Sequence, residues 1–298
     1  VKSYARSSKT LTISQLELLL IKNQIKLPVN RSSDKAIAKQ ELKELTLKNI
    51  PFPTNFNSCS SNSLTSLSLL NLDEYSSSYS FGYLDLNQFP SLLKLDIEQC
   101  QSCGNPNLPG INNIDSLTHL SLDVPSLSFL DPSNASNLID LNIKNSVLTS
   151  IYLSNCTSLE MLSLEDVDLT TIYLNGANNL QELNLKSTNL SSVDLSTNVN
   201  LYSFNCEDNS QLSSLDLSAQ NKLEILTCEN NSSLQTINLD GADSLYIFNC
   251  SYNNQLNTLD LSQNTALTSL QCNDNQLTSL DVSQNTALTG LGCGGNLL

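Results

Sequence analysis

LTSLQCNDNQLTSLDVSQNTALTGLGC, running from Leu267 to Cys293, nearly repeats itself after 21 residues, and a cysteine falls at the same place in both copies. Extending the alignment outward, the L-x-x-L element begins again at Leu42, Leu64, Leu92, Leu117, Leu138, Leu159, Leu180, Leu201, Leu223, Leu245, Leu267 and Leu288. Successive starts lie 22, 28, 25, 21, 21, 21, 21, 22, 22, 22 and 21 residues apart. Chance does not produce nine consecutive starts spaced at 21 or 22. LELLLI from Leu16 is a degenerate candidate for an earlier unit.

Each unit reads L-x-x-L-x-(L/I/C), a short linker, then L-x-x-(L/I/V)-(D/N/Y)-L-S, as in LQELNLKSTNLSSVDLSTNVN from Leu180 to Asn200. The first L-x-L alternates as a half-buried strand must, and so does VDL. Two extended segments joined by Asn/Ser-rich turns make one coil of a solenoid, and a single coil cannot bury its own leucines. The expected fold is therefore an α/β or mainly β repeat protein of about twelve coils of 21–22 residues. A parallel sheet would line the concave face and short extended segments the convex one, with no room for outer helices.

The units LTSLQCNDNQLTSLDVSQNTA and LYSFNCEDNSQLSSLDLSAQNK resemble the leucine-rich repeat, LxxLxLxxNxL, of bacterial surface and secreted proteins, with internalin-like proteins the nearest comparison. The resemblance covers about Leu42–Leu298. For function it implies only a binding or adhesion surface, because the fold hosts many partners. It also implies a small helical cap on the first coil. SSDKAIAKQELKEL (Ser32–Leu45) offers a Ser/Asp N-cap and apolar Ala36, Ile37 and Leu42, and SQLELLLIKNQIKLP could be helical before Pro28. The expected division is a partly helical cap, 1–41, and a solenoid, 42–298, with longer irregular repeats at 64–116 around DEYSSSYSFGY and EQCQSCGNPNLPG.

Composition supports a core of many small identical slots: 39% of residues are hydrophobic but only 5% aromatic, with no Trp and one Met. No run approaches the ~20 apolar residues of a membrane helix. Residues 1–50 carry 10 Lys/Arg against 4 Asp/Glu, a net +6, and the remaining 4 against 25 give −21 for residues 51–298. Such an acidic body repels nucleic acid over roughly a Debye length, ~8–10 Å, so no nucleic-acid partner is expected. VKSYARSSKT shows no export signal; the composition suits an extracellular or cell-surface protein whose signal or lipid anchor has been removed.

The third apolar slot holds Leu47, Leu69, Ile97, Leu122, Ile143, Leu164 and Leu185, then Cys206, Cys228, Cys250, Cys272 and Cys293. Free cysteine packs as a small hydrophobe, so the slot accounts for the thiols. In-register neighbours keep their Cβ atoms near ~4.8 Å, wider than the ~3.8 Å a disulfide needs, and a straight row of sulfurs cannot make a zinc tetrahedron. Asn209, Asn231, Asn253, Asn275 and Asn296 follow three residues after each cysteine. In leucine-rich repeats this Asn bonds turn backbone of its own and adjacent coils, which the resemblance implies here. Cys156 shares a column with Ala177, Asn198, Ala242, Asn264 and Asn285, a packing position. Cys59 stands apart, and Cys100-Gln-Ser-Cys103 lies in an insertion, where a local disulfide or plain thiols both fit better than zinc.

Catalytic patterns are missing. The sole histidine, His119, falls on the outward side of its strand, and no nucleophile elbow, H-E-x-x-H or P-loop accompanies it. No enzyme activity and no cofactor are expected. On the second segment Asp194, Asp216, Asn238, Asp260 and Asp281 form a row. Either calcium bridges these oxygens, or each bonds nearby Ser, Thr or backbone amides, the favoured reading.

By the resemblance, outward positions of the first strand are the binding surface. Between Leu201 and Ala266 they and their flanks include Tyr202, Asn205, Glu207, Ile225, Thr227, Glu229, Ile247, Asn249 and Tyr252, with Ile225 and Ile247 in one column. Earlier coils put Asp140, Met161 and Glu182 there. Exposed apolar residues beside tyrosines are ingredients of a binding hot spot for a protein or glycan. A structural array that spaces other domains is the alternative. LTGLGCGGNLL stops half-way through a coil, where contact or dimerisation through an open edge is expected unless the chain continues.

Overall fold

The computed structural model describes residues 8–9, 42–48, 64–70, 86–98 and 115–298. The chain divides into two compact units, Val1–Val147 and Leu148–Leu298. Each is a parallel β-solenoid.

In the first unit β1 (Ser8–Lys9) pairs antiparallel with β2 (Leu42–Lys48), setting Ser8 opposite Glu44 and Lys9 opposite Leu42. From β2 onward the strands run parallel in sequence order through β3 (Ser66–Leu70), β4 (Lys94–Glu98), β5 (His119–Asp123) and β6 (Asp140–Ser146). The L-x-L alternation explains them: Leu67 and Leu69, Leu95 and Ile97, Leu120 and Leu122, and Leu141 and Ile143 are all buried. Leu64, Leu92, Leu117 and Leu138, the leading leucines, are buried just before each strand. A 3₁₀ turn at Leu86–Gln88 is the only helical element among the described residues.

The second unit holds β7 (Ser150–Tyr152), β8 (Met161–Val167), β9 (Thr171–Tyr173), β10 (Glu182–Asn184), β11 (Ser203–Asn205), β12 (Ser214–Asp216), β13 (Ile225–Thr227), β14 (Thr236–Asn238), β15 (Ile247–Asn249), β16 (Ser269–Gln271) and β17 (Gly290–Gly292). The main sheet orders β8, β10, β11, β13, β15, β16 and β17, all parallel and in register, so Met161, Glu182, Ser203, Ile225, Ile247, Ser269 and Gly290 share one column. On the opposite side the second segments ladder only as two pairs, β7 with β9 and β12 with β14. Their core leucines are nonetheless buried throughout: Leu153, Leu174, Leu195, Leu217, Leu239 and Leu261.

One backbone feature recurs from coil to coil. The residue two past the third core slot is left-handed at Asn145, Asp166, Ser187, Asp208, Asn230, Tyr252, Asp274 and Gly295, with φ between 50° and 69°. This bend carries the chain off the strand. Asn, Asp and Gly tolerate it, whereas a bulky tyrosine at φ 60° is the outlier of the series.

The expected helix over Ser32–Leu45 needs correction at its end: Leu42–Leu45 belong to β2. Their Leu-x-x-Leu spacing serves the strand ladder with β3, whose pairing satisfies the backbone that a helix would otherwise close on itself. Residues 32–41, the segment ending at Pro28, and the 1–41 cap apart from Ser8–Lys9 lie outside the described residues, as do both insertions with Cys59, Cys100 and Cys103.

Candidate binding face

The main sheet of the second unit presents three outward columns. The first carries Met161 (36% exposed), Ile225, half-buried, and Ile247 (37% exposed). Ile225 pairs directly with Ile247, because their coils are 22 residues out of phase and in register. The second column sets Asn205, Thr227 and Asn249 in line. Glu207 and Glu229 come next along the chain, after the buried cysteine slot. Tyr202 lies just before β11, while Tyr252 sits in the left-handed bend past β15 and is 49% exposed. The candidates thus span the strand face from one margin to the other.

Several of them already have work inside the fold. Asn205 Oδ1 accepts the Glu207 amide at 2.9 Å, and Asn249 Oδ1 accepts that of Ser251 at 3.1 Å. Asn249 Nδ2 also donates to Glu229 at 2.6 Å. Glu207 meets Lys186 at 2.9 Å, and this bond lifts the lysine's pKa. Tyr202 donates its hydroxyl to Glu182, which raises the phenol pKa.

Beneath the face two ladders run coil to coil. Cys206, Cys228, Cys250 and Cys272 are buried free thiols, and Cys293 is half-buried. The asparagine ladder links neighbours reciprocally. Asn231 Oδ1 accepts the Asn209 amide at 2.7 Å, Asn253 Oδ1 that of Asn231 at 2.8 Å, and Asn275 Oδ1 that of Asn253 at 2.7 Å. At one end Asn209 Oδ1 accepts the Thr188 amide, and at the other Asn296 Oδ1 accepts that of Leu277. Each Nδ2 returns a bond to the cysteine carbonyl three residues earlier, between 2.7 and 3.0 Å. One side chain therefore closes its own turn and holds the next.

No family model matches the sequence, and no curated protein does. Solved structures do match. The functional domain of InlJ from Listeria monocytogenes, described as including a cysteine ladder, is 22% identical over 86% of this chain and 63% of its own, with TM-score 0.54. An internalin from the same organism, inlF, is 18% identical over 96% of this chain and 89% of its own, with TM-score 0.55. The TLR13–ssRNA13 complex gives 20% identity over 78% of this chain and 36% of that chain, with TM-score 0.60. This chain is a leucine-rich-repeat solenoid. It spans less than two thirds of the InlJ domain it resembles.

Within that leucine-rich-repeat frame Cys228, Cys250 and Cys272 resist ionisation. Burial pushes Cys250 well up, and the bond to Cys206 together with burial does the same for Cys228. Burial raises Cys272 to about 11 from an ordinary 9.0. A thiol that ionises more readily unfolded than folded stabilises the fold fully below pH 9, and that contribution is lost as pH rises towards 11. Stability is therefore expected to decline over this window, and the melting temperature with it. Melts of the Cys272→Ala variant should show a flatter slope there; an unchanged slope would remove the thiol from the account.

The aspartate row of the repeats resolves into local turns. Oδ1 of Asp194, Asp216, Asp260 and Asp281 accepts the amide of Ser196, Ser218, Ser262 and Ser283 at 2.8–3.0 Å. Asn238 does the same with Asp240. These bonds hold the carboxyl pKa values down, led by the Ser196 hydroxyl at Asp194 and by the serine amides at the other three. Among the described residues no cluster of three or more metal-binding side chains occurs. His119 is half-buried, with Nδ1 2.8 Å from the Thr118 hydroxyl.

Three features escape sequence reading. The column of Cys156 also includes Gln220, and its amides form a second buried ladder: Asn198 donates to Ala177 O, Gln220 to Leu195 O, Asn264 to Ala242 O and Asn285 to Asn264 O, all at 2.8–2.9 Å. Continuing the column through Gln220 would have found it. Tyr152 and Tyr173 stack at 4.6 Å in the position the aspartates take later. The left-handed conformation of Tyr252 leaves no trace in residue type.

Proposed function

We propose that the chain is a non-enzymatic binding module, extracellular or at a cell surface, that captures a protein or glycan on the strand face of its second unit. The observation that carries this reading is the in-register pair Ile225 and Ile247, left on the surface of a sheet whose inward slots are filled by Leu226 and Phe248. Nothing in core packing asks for isoleucine there. Ser203 and Ser269 serve in the adjoining coils of the same column. Tyr252 adds an exposed ring at the left-handed bend that the coils repeat, a conformation that costs a non-glycine residue ~1–2 kcal/mol.

Substituting Ile225→Asp with Ile247→Asp should lower partner capture about ten-fold or more, as loss of a hot-spot pair does. Melting temperature should hold, because both side chains face outward. Capture can be read by pull-down with quantitative mass spectrometry, comparing the two proteins at equal concentration. Unaltered capture would move the site to another face. Absence of any partner would favour the alternative, a structural array that spaces other domains.

A further inference from the structure

The surface around Ile225 and Ile247 is acidic as well as apolar. From 159 to 252 the chain carries 13 Asp/Glu, of which Glu160, Glu165, Glu182, Glu207, Glu224 and Glu229 lie in or within two residues of the main-sheet strands, and only two basic residues, Lys186 and Lys222. Both lysines are engaged: Lys186 with Glu207 and Asp208, and Lys222 with Asn200 at 2.7 Å. Carboxylates border the isoleucine pair along the strand direction. Glu224 immediately precedes Ile225, and Glu229 follows two residues past β13. Glu182 stands in the isoleucine column itself, two strands away from β13, and Glu160 precedes Met161 in that column. Glu160, Glu182 and Glu224 are all exposed, Glu182 while also accepting the Tyr202 hydroxyl.

A neutral protein surface closing on this face would strip water from those carboxylates and return nothing. A polyanion would be repelled. Resting on the strand-face reading above, we infer that the partner is a lysine- or arginine-rich protein segment whose apolar side chain rests on Ile225 and Ile247 while its cations meet Glu160, Glu182 and Glu224. Successive coils place the members of one column ~4.8 Å apart, so an extended segment crossing the strands meets one acidic or apolar site after another. Charge complementarity of this kind mainly speeds and selects the encounter, and it leaves a salt-dependent signature.

Fluorescence anisotropy of the whole chain with a synthetic peptide alternating lysine and valine tests this directly, with the glutamate–valine peptide as control. The basic peptide should bind and weaken about ten-fold between roughly 50 and 500 mM salt, and the acidic peptide should not bind. Combining Glu160→Gln, Glu182→Gln and Glu224→Gln should weaken the basic peptide about ten-fold. Removing the same number of charges elsewhere, through Asp168→Asn, Asp240→Asn and Asp243→Asn, should leave it unchanged. Equal losses in the two triple variants would overturn the inference, since only net charge would then matter. Equal binding of both peptides would overturn it too. If Ile225→Asp with Ile247→Asp abolishes partner capture while the glutamate triple variant retains it, the strand face stands and the basic occupant falls.

Discussion

Asn253→Ala is expected to destabilise the second unit by about 2–3 kcal/mol, a large loss for a residue outside the apolar core. The side chain is fully buried and answers three backbone groups at once. Its Oδ1 accepts the Asn231 amide at 2.8 Å, and its Nδ2 donates to the carbonyls of Cys228 at 3.0 Å and Cys250 at 2.7 Å. Truncation leaves the buried Asn231 amide without its acceptor, at a cost of ~1–3 kcal/mol before relaxation, and takes one donor each from the Cys228 and Cys250 carbonyls, which keep the Asn231 and Asn275 side-chain amides at 2.8 and 2.9 Å. Asn253→Asp should be no milder, since it keeps the acceptor, loses both donors and buries a charge. Asn296→Ala, at a half-buried position, is the internal control and should cost about 1 kcal/mol. Because repeat arrays unfold by nearest-neighbour coupling, urea melts of the Asn253 variant should broaden or split as well as shift. A loss under about 1 kcal/mol would mean that the ladder is decoration.

Phe248→Ala should cost more, ~3–5 kcal/mol, the usual range for a buried phenylalanine. Its slot in the strand is filled by Leu183, Phe204, Leu226, Phe248 and Leu270 in successive coils, all at most 2% exposed. The adjoining strands β13 and β16 place leucine in register with Phe248. Phe248→Leu therefore meets a slot that this stack already builds around leucine, and should cost only about 1 kcal/mol. Chemical denaturation of the two variants separates packing volume from position. Equal losses would show that the coil around Phe248 cannot close on a smaller side chain.

Both expectations depend on knowing which residues share a column, and most columns are legible in the chain itself. The cysteine of LTSLQC is an example. Seven aliphatic residues occupy its slot in earlier coils, so its recurrence marks an inward position, where Cys206 to Cys272 are in fact buried. The candidate face was legible only in part. Ile225 and Ile247 could be put in one column by counting, but Asn205, Glu207, Glu229 and Asn249 turn out to be tied to neighbours within the fold. For Glu207 and Glu229, whether the side chain faces a ligand or a neighbouring coil depends on a contact 21 or 20 residues away, about which its own surroundings are silent.

The helical reading of Ser32–Leu45 failed at Leu42–Leu45 for a related reason. An i, i+3 leucine spacing suits a helix stripe and also the leading leucine and first core slot of a coil, and pairing with β3 decides for the strand.

Periodicity is a property of the chain, so the amino-acid sequence by itself determined the coil, its strand, its inward slots and the acidic charge of the body. Stacking is a property of the folded molecule. It alone decided that Asn253 closes the coil of Asn231, that Tyr252 bends left-handed into solvent, and that Ile225 and Ile247 meet side by side at the surface. The physical reason is that each coil buries its leucines only against the next, so every pairing between coils is settled when the stack forms.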